Sequence, residues 1–153
     1  MVYYCFCHTP LGRMLLAQEE EGLILVEFDA APVKNWQQAD TPLLVQAKAQ
    51  LSEYFAGTRQ EFTLPLSPKG TPFQQKVWAA LQTIPYGQTR SYGEIARQIG
   101  SPKAARAVGM ANHHNPIAIL IPCHRVVGQN GALTGYAGGL ERKKALLQLE
   151  GCL

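Results

Sequence analysis

Three short apolar stretches open the chain, and each is closed by turn residues. Residues 2–7, 14–18 and 23–28 are rich in β-branched, aromatic and aliphatic side chains, with Gly12 and Glu20-Glu21-Gly22 between them. That pattern predicts a meander of β-hairpins. The period then changes. Leu43, Leu44, Ala47, Leu51, Tyr54 and Phe55 recur at helical spacing over 42–56, and Gly57 follows as a stop. Residues 61–64 read as one more short strand, and 29–41 as an irregular connection. Pro65, Ser67, Pro68 and Gly70 mark a linker. The chain therefore divides into an N-terminal domain over 1–66 and a C-terminal domain over 67–153.

The second half begins with clear helix starts. Thr71-Pro72-Phe73-Gln74 and Ser91-Tyr92-Gly93-Glu94 both have the form of a capping box, in which the cap hydroxyl and the third helical side chain exchange backbone hydrogen bonds. The second box opens a helix that stops before Gly100. Ser101-Pro102 starts another, running through Lys103 and Arg106 toward Asn112, so the pair predicts a helix-turn-helix. An apolar run, 117–121, is then halted by Pro122 and followed by Cys123, His124 and Arg125. It is too short for a helix and reads as a buried strand or a tightly packed extended segment. A glycine-rich loop over 128–139 leads into a closing helix over 140–149 that carries Arg142, Lys143 and Lys144, with Glu150 at its end. The fold class is α+β: a small antiparallel sheet with a helix, then a mainly helical domain holding the Pro-Cys-His-Arg segment.

Composition adds a division of charge. The chain has 153 residues and a net charge of +3. Residues 1–66 carry four Lys/Arg against eight acids, whereas 67–153 carry ten against three. A basic half of this size suits a polyanion such as nucleic acid, or is simply a soluble basic surface. The small residues of the second helix, with Lys103 and Arg106 projecting, would let a backbone approach a groove while cations meet phosphates. Many helix-turn-helix units are purely structural. No apolar run approaches the roughly 20 residues that span a bilayer. The start of the chain has no secretory pattern, so a cytoplasmic setting with free thiols is expected.

The four cysteines show no framework spacing. Cys5 and Cys7 share a strand face beside His8, but nothing completes a tetrahedral metal site, and two half-buried thiols are the simpler reading. Cys123 is different. A thiol beside groups that can be positive loses its proton more readily, which would make it a nucleophile; a buried structural cysteine is the alternative. A cysteine protease would need a distant histidine, and no CxxC pair supports an oxidoreductase. A DNA-binding unit and a thiol in one small domain suit an attack on damaged DNA.

The run Ile121-Pro122-Cys123-His124-Arg125-Val126 resembles the active-site signature of the O6-alkylguanine-DNA alkyltransferases, the methylated-DNA–protein-cysteine methyltransferases. So do Arg90-Ser91-Tyr92-Gly93-Glu94-Ile95-Ala96, Pro102-Lys103-Ala104-Ala105-Arg106-Ala107-Val108-Gly109, Asn115-Pro116 and Tyr136-Ala137-Gly138-Gly139-Leu140-Glu141-Arg142-Lys143, in family order. The likeness runs from about Thr71 to the end, more loosely through the N-terminal sheet, and is nearest to the stand-alone bacterial type.

The resemblance implies a ribonuclease-H-like N-terminal domain and a DNA-repair role without a cofactor. Cys123 would take the alkyl group irreversibly, His124 would deprotonate it through a water, and Glu150 would orient His124. Asn115 would tie the helix-turn-helix to this segment, and Tyr92 would donate to the departing base. Arg106 would fill the stack behind a flipped base, with Lys103, Ala104, Ala105 and Ser91 also at the DNA, in the minor groove. Ala118, Arg125, Val126, Tyr136, Ala137 and Gly138 would line the pocket. Ala118 stands where some relatives carry proline, and Ala137 where some carry serine. The first departure implies a roomier pocket that takes longer alkyl groups and O4-alkylthymine. The partner would be double-stranded DNA bearing these lesions, the protein a monomer. A catalytically silent lesion binder would lack Cys123, and a transcriptional regulator would leave Cys123, His124 and Glu150 unexplained. Asn112-His113-His114 has no assigned role.

Overall fold

A computed structural model describes residues 1–153 as two compact units, 1–69 and 70–153. In the first, strands β1 (Val2–Thr9), β2 (Gly12–Glu19) and β3 (Gly22–Phe28) pair antiparallel in sequence order, as the turn residues require. The alternation of β1 puts Cys5 and Cys7 on one face, both buried. Burial pushes the Cys5 thiol up to about 11 and raises that of Cys7 as well. Helix α1 (Pro42–Phe55) starts at Thr41, whose hydroxyl accepts from the Leu44 N–H, and it buries Leu44, Ala47, Leu51 and Tyr54.

Two expectations fail in this unit. The connection 29–41 contains a two-residue strand, β4 (Gln37–Gln38), parallel to β1. Both glutamines are exposed, so no apolar alternation announces it. Residues 61–64 form no strand. Pairing comes slightly later, where Leu66 bridges Leu23; the Leu23 N–H donates to the Pro65 carbonyl at 2.9 Å and the Ser67 N–H to the Leu23 carbonyl at 2.7 Å. The first residues of the apparent linker therefore belong to the sheet.

In the second unit, α2 (Pro72–Leu81) and α3 (Tyr92–Gln98) both begin with complete capping boxes, at Thr71 and Ser91. Each box satisfies two N–H groups that the helix itself leaves without partners. Gly100, at a left-handed φ of 80°, turns the chain out of α3. The next helix starts later than the sequence suggested. Residues 102–103 are a turn, and α4 is Ala105–His113 with Ala104 as an N-cap that offers no side-chain bond. Lys103 and Ala104 thus precede the helix, while Arg106 stands exposed in its first turn. Trp78 anchors α4: the buried indole N–H of α2 donates to the Ala111 carbonyl at 2.9 Å.

The apolar run 117–121 is no strand. It folds as consecutive turns, with the Ile121 N–H on the Ile117 carbonyl at 3.0 Å and Ile119 at φ 72°. A β-branched residue in that region is strained. A 3-10 turn (Cys123–Arg125) follows, then strand β6 (Val126–Val127), which pairs parallel with β5 (Arg90–Ser91). Helix α5 (Leu140–Leu149) closes the unit, entered through Gly139 at φ 97°, a conformation that favours glycine. No helix is long and apolar enough to cross a membrane.

Candidate active site

The site is built where the pair β5–β6 brings two segments together. Arg90 faces Val126 and Ser91 faces Val127. One strand feeds straight into Tyr92, the first residue of α3; the other leaves the turn that holds Cys123, His124 and Arg125. All three of the latter are buried.

Asparagines hold the backbone around the thiol. Asn115 donates from Nδ2 to the carbonyls of Ile117 (3.3 Å) and Ile121 (2.8 Å), and its Oδ1 accepts from the Ile117 N–H at 3.0 Å. These bonds staple both ends of the strained turn. The Asn115 backbone N–H meets the Asn112 carbonyl of α4 at 3.3 Å, and Asn112 adds a second tie, its Nδ2 donating to the Cys123 carbonyl at 3.3 Å. Asn112 falls in step with the other buried residues of α4, Val108 and Ala111, and that spacing was the available clue. His113 and His114 are exposed and stack edge-on at 5.4 Å.

Glu150 caps the far end of α5 and accepts from two neighbours in the turn. His124 Nε2 lies 2.6 Å from Oε2, Arg125 Nε lies 2.7 Å from Oε1, and Arg125 Nη2 lies 3.1 Å from Oε2. A carboxylate paired with a guanidinium only accepts, so Nε2 of His124 carries a proton and Nδ1 of the neutral ring is the basic nitrogen. That Nδ1 is buried and has no protein partner. Burial, above all, lowers the His124 pKa below its ordinary value of 6.5; Glu150 pulls upward, while Arg125 and Lys143 add to the lowering. The imidazole is therefore neutral at physiological pH.

Arg125, which the resemblance places in the pocket, directs its guanidinium to Glu150 and to the Ile84 carbonyl at 2.7 Å. His124 and Arg125 do not acidify Cys123. Burial raises its pKa above 9.0; the Asn115 side chain and then the Lys143 charge oppose this without reversing it. The resting thiol is protonated because a thiolate would have to be desolvated.

Lys143 counts among the cations of the basic half, yet it does not lie at the surface. It is fully buried, and its Nζ donates to the carbonyls of Val126 (2.6 Å) and Thr134 (3.0 Å). Burial lowers its pKa to about 8, with Cys123 acting in the opposite sense. Nothing in Arg142-Lys143-Lys144 distinguishes the inward lysine except that it lies three and four positions before Leu146 and Leu147, on the same buried face of the helix. The Tyr92 hydroxyl is 2.7 Å from Thr134 Oγ1. Tyr136 is buried with an unpartnered hydroxyl whose pKa is raised well above 10 by burial and by Cys123. Val126 is buried, Ala118 and Gly138 are half-buried, and Ala137 is exposed. Ser91 spends its hydroxyl on the Glu94 N–H as a cap.

A helix-turn-helix domain that buries a thiol next in sequence to a neutral, carboxylate-oriented histidine has a cysteine at its chemical centre. Comparison with known proteins gives the family. Residues 72–152 match the DNA-binding domain of 6-O-methylguanine DNA methyltransferase, and residues 2–68 match its ribonuclease-like domain. The chain belongs to that family. It is 54% identical to the constitutive methylated-DNA–protein-cysteine methyltransferase of Bacillus subtilis, over 96% of this chain and 93% of the relative. It is 52% identical to a Methanosarcina acetivorans methylated-DNA–protein-cysteine methyltransferase, over 98% and 99%. Among solved structures, Mycobacterium tuberculosis OGT in complex with DNA superposes with a TM-score of 0.92 at 52% identity, covering 97% of this chain and 92% of the other.

Glu150→Gln removes the only carboxylate bonded to Arg125. An unpaired buried guanidinium costs about 3–5 kcal/mol, so chemical denaturation should show a loss of that order, and a Glu150→Gln/Arg125→Met pair should lose less. Equal stability of wild type and single variant would contradict the assigned pairing. The free thiol gives a second check. Modification of Cys123 by iodoacetamide, followed on its peptide, should keep rising as pH passes 9, because burial raises the thiol pKa. A plateau reached below about pH 8.5, the free-cysteine value, would mean the thiol is acidified after all.

Proposed function

We propose that Cys123 is the acceptor in direct repair of O6-alkylguanine in DNA. The observation that carries the reading is the basic nitrogen of His124: buried, neutral, unpartnered, next in sequence to a buried thiol, with its opposite nitrogen fixed by Glu150. Adjacent side chains seldom face one another, and a single water spans the gap. The thiol proton passes through that water to Nδ1, and Glu150 stabilises the imidazolium formed. The sulfur then attacks the alkyl carbon in line. As the S–C bond forms, the C–O6 bond breaks and its electron pair stays on guanine. The product is a thioether, which water does not reopen, so each molecule acts once. Lys143, close enough to couple with Cys123, favours the transient thiolate.

Guanine leaves as an anion unless it is protonated, and the Tyr92 hydroxyl is the donor. The base must leave the duplex to reach a buried sulfur. Arg106, exposed on the first turn of α4, takes its place in the stack. Ala104 and Ala105 allow the close approach, Lys103 and Ser91 hold the flanking backbone, and the minor groove receives the helix. Val126, Tyr136, Ala137 and Gly138 line the pocket, where backbone groups read the base. The small side chain of Ala118 leaves room for longer alkyl groups and for O4-alkylthymine.

Intact mass after incubation with a duplex containing O6-methylguanine tests the central claim. The protein should gain one methyl group, located on Cys123 and absent from Cys123→Ala; an unchanged mass for the wild type would refute it. Pocket size has its own test. Single-turnover rates on O6-butylguanine should stay within roughly tenfold of those on O6-methylguanine, since one or a few methylenes in an apolar pocket discriminate by only about 10–200-fold. A block beyond that range would show that Ala118 does not widen the site.

A further inference from the structure

The Tyr92 hydroxyl has a single proton, and something must decide where it points. The structure offers one partner, Thr134 Oγ1 at 2.7 Å. We infer that Thr134 is a positioning residue for the leaving group: its hydroxyl donates to the Tyr92 oxygen and thereby turns the phenolic proton toward the base. This rests on the reading of Tyr92 given above.

Thr134 is held for that purpose from three sides. Its carbonyl accepts from Lys143 Nζ at 3.0 Å, and the same ammonium bonds the Val126 carbonyl of β6, so the loop is tied to the strand that leaves the Cys123 turn. A tight turn precedes it, with the Gly128 N–H on the Ala132 carbonyl at 2.8 Å and the Gly131 N–H on the Gly128 carbonyl at 2.9 Å. Its methyl group faces Gly128, where a Cβ would come within 3.4 Å of Cγ2. With the methyl on that side, the hydroxyl is left on the side of Tyr92, and it makes no other hydrogen bond. Loop, rotamer and partner agree.

The chemistry gives this hydroxyl a role. Without substrate, either oxygen of the pair can donate. When a base acceptor arrives, the phenol donates to it and the threonine donates to the phenol. A hydroxyl that accepts one hydrogen bond becomes a better donor of its own proton. As the C–O6 bond breaks, guanine takes the phenolic proton, and the phenolate keeps the Thr134 hydrogen bond. The proton that His124 removed from Cys123 is released to solvent, and solvent returns one to Tyr92. The balance is one thiol and one alkylated base giving one thioether and one free guanine.

The test is the single-turnover rate of methyl transfer to Cys123, measured across DNA concentrations for wild type, Thr134→Val, Thr134→Ser, Tyr92→Phe and the Thr134→Val/Tyr92→Phe pair. Valine keeps the shape and loses the hydroxyl. Its limiting rate should fall roughly tenfold, the loss that one hydrogen bond of ordinary strength produces, with the half-saturating DNA concentration unchanged. Serine should restore the rate. The double variant should be no slower than Tyr92→Phe alone, because Thr134 acts only through the phenol. A wild-type rate in Thr134→Val, a half-saturation that shifts while the limiting rate does not, or additive losses in the pair would each overturn the inference while transfer to Cys123 stands. No methyl on wild-type Cys123 would instead remove the functional reading, and this inference with it.

Discussion

One carboxylate holds the site together. Glu150 sits at the last turn of α5 and accepts from His124 and Arg125, consecutive residues of a single 3-10 turn. Each partner needs it for a different reason. Arg125 is always charged, so a buried guanidinium requires a counter-charge. His124 can be neutral, and it needs only an acceptor that fixes which nitrogen bears the proton. Because Arg125 already balances the carboxylate, Glu150 does not force His124 into the charged form. Burial and the nearby cations then win, and the ring stays a free base. Arg125 adds to an effect that burial dominates, and its own charge is balanced by the same carboxylate.

Burial governs the thiol as it governs the imidazole. A nucleophilic cysteine is often pictured as a standing thiolate. Here the sulfur is buried, and desolvation outweighs Asn115 and Lys143. A resting thiol suits a protein whose nucleophile is used once, since a standing thiolate would react with stray electrophiles and oxidants. Reactivity is supplied when the proton has somewhere to go. Lys143 contributes a charge that does not depend on the substrate, and its bonds to two carbonyls give it a reason to remain in the interior.

Much of this could be read from the sequence, and the limits have physical causes. The hairpins and the two capping boxes rest on local chemistry, which a sequence displays directly. Glu150 meets His124, the residue next to Cys123, at 2.6 Å, a pairing that the resemblance also implies. The features that escaped depend on contacts remote in sequence. A three-residue basic run on a helix looks solvated, and only the packing of α5 turns Lys143 inward. Gln37 and Gln38 form a strand because β1 has a free edge, not because of their own propensity. Ala104 and Lys103 resemble helix residues, yet Ser101 and Pro102 take up a turn before α4 begins. The run 117–121 resembles a strand in composition, but the bonds from Asn115 close it into turns.

That last difference bears on how the sulfur is presented. A strand would have carried Ile117–Ile121 in a straight line and delivered Cys123 on an extended backbone that exchanges bonds with a neighbouring strand. The coiled turn instead combines its own backbone bonds with those of one side chain, and it accepts a β-branched residue at φ 72° in doing so. Such strain costs on the order of 1–3 kcal/mol, and it persists because Asn115 fixes the turn at both ends while Ile117, Ile119 and Ile121 are buried. The polar bonds set the path of the chain and the apolar side chains oppose its relaxation. The thiol is thereby anchored from within its own segment by Asn115, from α4 by Asn112, and through the next residues by Glu150. In-line displacement tolerates little misplacement of the attacking atom. Anchors from Asn115, Asn112 and Glu150, spread over residues 117–125, meet that demand.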